Sequence, residues 1–184
     1  ETGKWCGAGG WRLGYLAVPK KLTEFLKSLK SLASESYSTV NTPTQYAAVE
    51  AYASEYDKYK IKVRAILKAI GNFTYNNLKS NKVLINPPKG AFYLMPEFLN
   101  SKFSSSAEMC DDIINKTGVA LLPGSDFGFK SKKMLARLSY TDFDGYTFLK
   151  NINSGKKLDD DLVKKYAPNV VEGTNKLIEW SKTL

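Results

Sequence analysis

The stretch KWCGAGGWRLGY, Lys4–Tyr15, sets a lysine and an arginine eight positions apart and fills the interval with glycines and two tryptophans. A phosphate-cradling loop is one reading of it. A Walker loop, however, needs four residues between its glycines and then Gly-Lys-Ser/Thr, and the dinucleotide fingerprint needs G-x-G-x-x-G between a strand and a helix. Gly7, Gly9 and Gly10 meet neither spacing. A second reading is structural: glycines let backbone pass close to Trp5 and Trp11, and Arg12 pairs with a carboxylate. A third is that the stretch continues something whose first half lies elsewhere.

Chemistry adds to the third reading. A lysine in a tight, partly apolar loop beside a positive charge tends to lose its proton, and the free amine is a nucleophile. Arg12 supplies such a charge and is able to hold a phosphate. An amine for bonding, a guanidinium for phosphate and glycines for close approach describe a pyridoxal phosphate site.

Outward from this stretch, LGYLAVP (Leu13–Pro19) predicts a short buried strand ending at a proline. Leu22, Phe25, Leu26, Leu29 and Leu32 then fall on one face of a helix that ends in the Ser/Thr-rich run 34–39. Thr42 as cap, Pro43 at the first helical position and Gln45 at the third predict a second helix with Tyr46, Val49, Ala53 and Tyr56 as its buried stripe. A longer helix over 56–78 turns Tyr59, Val63, Ile66, Leu67 and Ile70 inward. Strands are expected at 82–86, 91–94, 119–122 and 135–140, with a helix capped by Ser104–Ser106 running through Ile114 and stopping near Gly118. The tail reads as two helices, 145–152 and 170–182. Between them, 153–168 holds a charged run, GKKLDDDLVKKYAP, that reads as solvated surface. Helices first and a mixed layer afterwards place a boundary in the third helix.

The totals narrow the function. With 43% apolar and 24% charged residues over 184, the chain reads as one globular domain or one and a half. It has no apolar run of the length a membrane helix requires and no signal-peptide layout, so no membrane partner is expected. The net charge of +9 comes from scattered lysines, with arginine only at 12, 64 and 137. Nucleic-acid recognition favours clustered arginine, so no nucleic-acid partner is expected. The absence of histidine excludes Ser-His and Cys-His pairs within the chain and removes the commonest zinc ligand. Cys6 and Cys110 are too few and too far apart for a metal cluster or a disulfide framework, so no metal is expected and both read as free thiols.

Four segments in order carry a resemblance. Lys4 followed by Gly10, Trp11, Arg12, Gly14 and Tyr15 is similar to the cofactor-lysine segment of the class I aminotransferases, the aspartate and aromatic aminotransferase family of fold type I. NTPTQYAA (Asn41–Ala48) resembles the segment that opens the helix after that family's interdomain turn. GAFYL (Gly90–Leu94) resembles its small-domain strand. PGSDFG (Pro123–Gly128) with ARLSY (Ala136–Tyr140) resembles its PGxxFG loop and the strand whose arginine grips the substrate α-carboxylate. The family commonly has serine before the lysine, where this chain has Gly3.

The resemblance implies an α/β fold, the C-terminal part of a fold type I pyridoxal-phosphate-dependent transferase. Residues 1–57 would be the remnant of a truncated large domain, and 58–184 the linking helix with an α+β small domain. It implies Lys4 as the catalytic, cofactor-bonding lysine, Arg12 on the cofactor phosphate and Arg137 on the substrate. A planar guanidinium suits the two oxygens of a carboxylate, which gives Arg137 a physical reason to stand among so many lysines. The implied activity is transfer of an amino group between an amino acid and a 2-oxo acid, in a cytoplasmic homodimer. The groups that would stack on the cofactor ring and pair with its nitrogen have no counterpart in this sequence, so the 184 residues alone are expected to be inactive. Elimination or decarboxylation on the same cofactor lysine is an open alternative chemistry. A non-catalytic binding module retaining the small-domain fold is the alternative of a different class.

Overall fold

The structure is a computed structural model describing residues 2–152 and 158–184. The chain divides after Lys60 into two compact units.

The first unit is helical. α1 (Thr2–Trp5) is a single turn, followed by 3-10 turns at Gly9–Trp11 and Lys20–Leu22, then by α2 (Thr23–Ser36) and α3 (Thr42–Ala53). Thr2 joins α1 to the segment after the first 3-10 turn and to α3: its N–H donates to the Leu13 carbonyl at 2.9 Å, and its hydroxyl lies 3.0 Å from that of Tyr52. Trp5 packs on Tyr52 and Tyr56 with ring centroids 5.6 and 6.2 Å apart, and Tyr15 meets Tyr52 edge-on at 5.7 Å. Aromatic pairs of this kind contribute about 0.5–1.5 kcal/mol each beyond the area they bury.

Three expectations fail in this unit. The strand over Leu13–Pro19 does not form, because a strand needs a neighbour for its N–H and C=O groups and no described strand lies beside it. The predicted apolar stripes of α2 and α3 are not buried: Phe25, Leu32, Tyr46 and Val49 are exposed, and Ala48 is the buried residue of α3. Periodicity makes a helix amphipathic, but burial also requires a facing surface. Finally, Asn41 rather than Thr42 caps α3. Its Oδ1 accepts the Thr44 N–H at 3.2 Å, and asparagine outranks threonine in that role.

α4 (Asp57–Leu78) buries Ile66, Ile70, Phe73 and Leu78 in the core of the second unit. Gly71 on this helix admits Tyr140: a Cβ there would lie 2.8 Å from the tyrosine hydroxyl, which donates to the Ala91 carbonyl at 3.1 Å. β1 (Val83–Leu84) pairs antiparallel with β3 (Glu97–Phe98). A three-stranded antiparallel sheet has β5 (Ala136–Ser139) at its centre, with β2 (Tyr93–Leu94) on one side and β4 (Leu122–Pro123) on the other. Ala136 and Leu138 face the core, leaving Arg137 and Ser139 on the opposite face. Val119–Leu121, expected as strand, lies outside the ladder, which begins at Leu122.

α5 (Ser106–Thr117) is closed at both ends by its own sequence. Ser105 accepts the Glu108 N–H at 3.2 Å, Glu108 reaches back to the Ser104 N–H at 2.8 Å, and Gly118 ends the helix in the left-handed region at φ 72°. α6 (Gly145–Asn151), α7 (Asp160–Tyr166) and α8 (Pro168–Lys182) complete the unit. α7 corrects the reading of 153–168 as solvated surface. Residues 153–157 lie outside the described residues, but Asp159 caps a helix through the Leu162 N–H at 3.0 Å, and Val163 and Ala167 are fully buried. Asp159–Asp161, Lys164 and Lys165 are exposed, and Val163 and Ala167, four apart, face inward.

Candidate functional site

Lys4 lies on α1 and is solvent-exposed, so it is not in the tight, partly apolar loop that the sequence led us to expect. Gly3 accounts for this. A Cβ at Gly3 would sit 2.7 Å from the Ala8 carbonyl oxygen and 2.9 Å from the Gly9 Cα, so α1 presses backbone to backbone on the following turn and its next side chain is left outside. Glycine, rather than the family's usual serine, is what this contact permits. Arg12 closes the Gly9–Trp11 turn in the left-handed region at φ 48°, which costs a non-glycine residue about 1–2 kcal/mol. Its Nη1 donates to the Gly9 carbonyl at 3.3 Å. A Cβ at Gly9 or Gly10 would meet nothing within 4 Å, so the turn is open on its outer side. The Trp5 indole N–H is buried and has no hydrogen-bond partner among the described residues. Pyridoxal phosphate would call on a primary amine for its aldehyde and a guanidinium for its phosphate, and Lys4 and Arg12 are residues of those two types.

Arg137 stands at the middle of the second unit's sheet, opposite Leu122 in the ladder. Tyr93 pairs with Ser139, two residues along β5, and so shares the Arg137 face as its diagonal neighbour. The guanidinium carbon lies 4.5 Å from the Tyr93 ring centroid and 4.5 Å from that of Phe127. The rings arrive from opposite sides of β5, one on β2 and the other on the 3-10 turn Gly124–Phe127 that follows β4. The PGSDFG segment builds that turn. The Gly124 N–H donates to the Leu135 carbonyl at 2.7 Å, and Gly128 takes up φ 81° just beyond Phe127. Among the described residues no carboxylate pairs with Arg137. Tyr93 and Phe127 were not singled out in the sequence. Both stand in the GAFYL and PGSDFG segments, and their convergence on Arg137 depends on strand register and on a turn that a one-dimensional pattern does not reveal.

Two buried groups outside these motifs have shifted titration. Burial, with Asp111 and Asp126 nearby, pushes the Cys110 thiol up to about 11, so it stays protonated. Burial raises the Tyr59 phenol, with Cys6 adding to the effect. No cluster of His, Cys, Asp and Glu able to hold a metal occurs among the described residues, and none of their helices is long and apolar enough to cross a membrane.

The profile of a family described as "Aminotransferase class I and II" matches residues 2–144. A probable aspartate/prephenate aminotransferase of Aquifex aeolicus is 33% identical over 135 residues, covering 71% of this chain and 33% of that protein. An aspartate aminotransferase of Bacillus sp. YM-2 is 32% identical over 136 residues, with 71% and 33% covered. The chain therefore spans about a third of the length of the curated relatives it matches. The crystal structure of an aspartate aminotransferase from Thermotoga maritima superposes with a TM-score of 0.63 at 23% identity, covering 98% of this chain and 38% of that one. An aromatic aminotransferase from Pyrococcus horikoshii gives 0.66 at 21% identity, with 96% and 40% covered.

Proposed function

The chain belongs to the class I and II aminotransferases and has the fold of part of a fold type I enzyme, and from this membership we propose that it serves a pyridoxal-phosphate-dependent transfer of an amino group between an amino acid and a 2-oxo acid. In this reading residues 1–57 belong to the large cofactor-binding domain, 58–184 form the linking helix and small domain, and the working protein is a cytoplasmic homodimer. Lys4 Nζ would hold the cofactor and, once the substrate amine has displaced it and left it a free amine, would take the proton from the substrate α-carbon. Arg12 holds the phosphate, and Arg137 receives the α-carboxylate edge-on. Once bound, the cofactor supplies the electron sink that makes the α-proton removable.

The observation that carries the reading is Arg137. An arginine on the central strand, flanked by two rings and unpaired with any carboxylate among the described residues, has its hydrogen-bonding edge available to an outside acceptor. The exposure of Lys4 favours a limited role for the 184 residues by themselves: they hold pyridoxal phosphate weakly and do not transaminate. Addition of pyridoxal phosphate to the chain and to its Lys4→Ala variant tests this, read as the visible absorbance of the lysine-bound cofactor. A weak band that requires Lys4 is expected. A band independent of Lys4, or none at all, removes the catalytic reading and leaves a binding module with the small-domain fold.

A further inference from the structure

We propose that Tyr93 and Phe127 are positioning residues that clamp the Arg137 guanidinium from two sides, fixing its plane and restricting it to planar carboxylates approaching along its edge. This rests on the reading of Arg137 as the α-carboxylate anchor.

All five N–H groups of a guanidinium lie in its plane, whereas its faces carry none. A protein commonly orients an arginine by engaging some of these donors with a carboxylate or a carbonyl. Here the holding contacts are two aromatic rings, each 4.5 Å from the guanidinium carbon, and no described carboxylate pairs with it. Ring faces attract the cation through their quadrupole and leave its donors uncommitted. Contact from both sides of the strand also limits rotation about the last side-chain bonds. Two parallel N–H···O bonds then remain for one ligand, and the planar fork of a carboxylate matches them. A tetrahedral phosphonate of similar size places its third oxygen out of that plane, toward a ring. The clamp thus selects on shape as well as charge.

The two rings are held differently, which makes the clamp testable in parts. Tyr93 is set by the β2–β5 register, whereas Phe127 is set by the turn that Gly124 docks against Leu135 and is 39% exposed. Replacement of Phe127 therefore perturbs the guanidinium with little demand on the core.

The 184-residue chain has three arginines, so its side-chain Nε–H spectrum is simple and Arg137→Lys identifies the relevant signal. In the ligand-free chain the Arg137 signal should be ring-shifted and slow in rotation. Sodium acetate at constant ionic strength should move it saturably, and methylphosphonate should do so less. Phe127→Leu and Tyr93→Leu should free the rotation and weaken acetate binding by about threefold to tenfold. Phe127→Tyr and Tyr93→Phe should preserve both properties, which separates ring stacking from a loss of fold. Leucine variants that keep the slowed signal and the acetate affinity contradict the clamp. A parent chain with a slowed, shifted Arg137 signal that ignores acetate overturns the carboxylate reading beneath it, and with it the ligand role of the rings.

Discussion

The backbone N–H of Gly124 donates to the Leu135 carbonyl at 2.7 Å, and a Cβ placed on Gly124 would lie 2.8 Å from that same oxygen. The close approach seats the turn carrying Phe127 against the start of β5. Gly124→Ala must push the turn outward, an overpacking that costs about 1–3 kcal/mol. A lower urea midpoint is expected, together with freer rotation at Arg137. An unchanged midpoint would show that the turn yields without cost.

Val163 is fully buried although it sits in a run of lysines and aspartates. Val163→Ala should lower unfolding free energy by about 1.5–3 kcal/mol through lost transfer energy and the cavity left behind. Lys164→Ala, one residue on, removes an exposed pair with Asp161 and should change stability by less than about 0.5 kcal/mol. Equal effects at the two positions would return this segment to the status of surface elaboration.

Asp112 links α5 to α8. The Lys116 ammonium at 2.8 Å and the Trp180 indole N–H at 2.8 Å hold its carboxyl below the ordinary value. A depressed folded value contributes stability that is fully present above the unfolded value of about 4 and is lost as pH falls through the folded one. Urea midpoints measured between about pH 3 and pH 6 should therefore fall toward acid, and Asp112→Asn should be destabilised at pH 6 with a shallower acid limb. An unaltered limb in the variant would assign acid sensitivity to other carboxyls, such as Glu108 and Asp144, whose values are lowered by hydrogen bonds at helix starts.

The two thiols should differ in reactivity. Cys110 is buried and its thiol is pushed up to about 11, whereas Cys6 is partly exposed and donates to the Thr2 carbonyl at 2.9 Å. At pH 8, iodoacetamide followed by peptide mapping should label Cys6 first and Cys110 only when urea opens the second unit. Equal labelling in the absence of urea would contradict the packing of α5.

What the sequence disclosed follows the range of the forces involved. α5 was legible as a helix between a serine cap and Gly118, because those residues act within one turn of the helix ends, although it runs to Thr117, three residues beyond the expected Ile114. α4 was legible because its buried residues repeat with the helical period. α7 had a readable signal in the Asp159 cap and in Val163 and Ala167 four apart, but the dense charge around them obscured it. Leu13–Pro19 and the outer faces of α2 and α3 were misread because apolar patterning records a tendency to bury and does not supply the covering surface. At the candidate site, residue type and motif order point to Lys4, Arg12 and Arg137. The rings around Arg137, and the glycine contact that leaves Lys4 exposed, are properties of the folded chain.

The role of Lys4 is tested most directly by incubating the chain with pyridoxal phosphate, reducing with borohydride and locating the pyridoxyl group by peptide mass spectrometry. Label should concentrate on Lys4 among the many lysines, and total label should drop sharply in an Arg12→Ala chain. Label spread evenly over the surface lysines, or unaffected by loss of Arg12, would contradict that role.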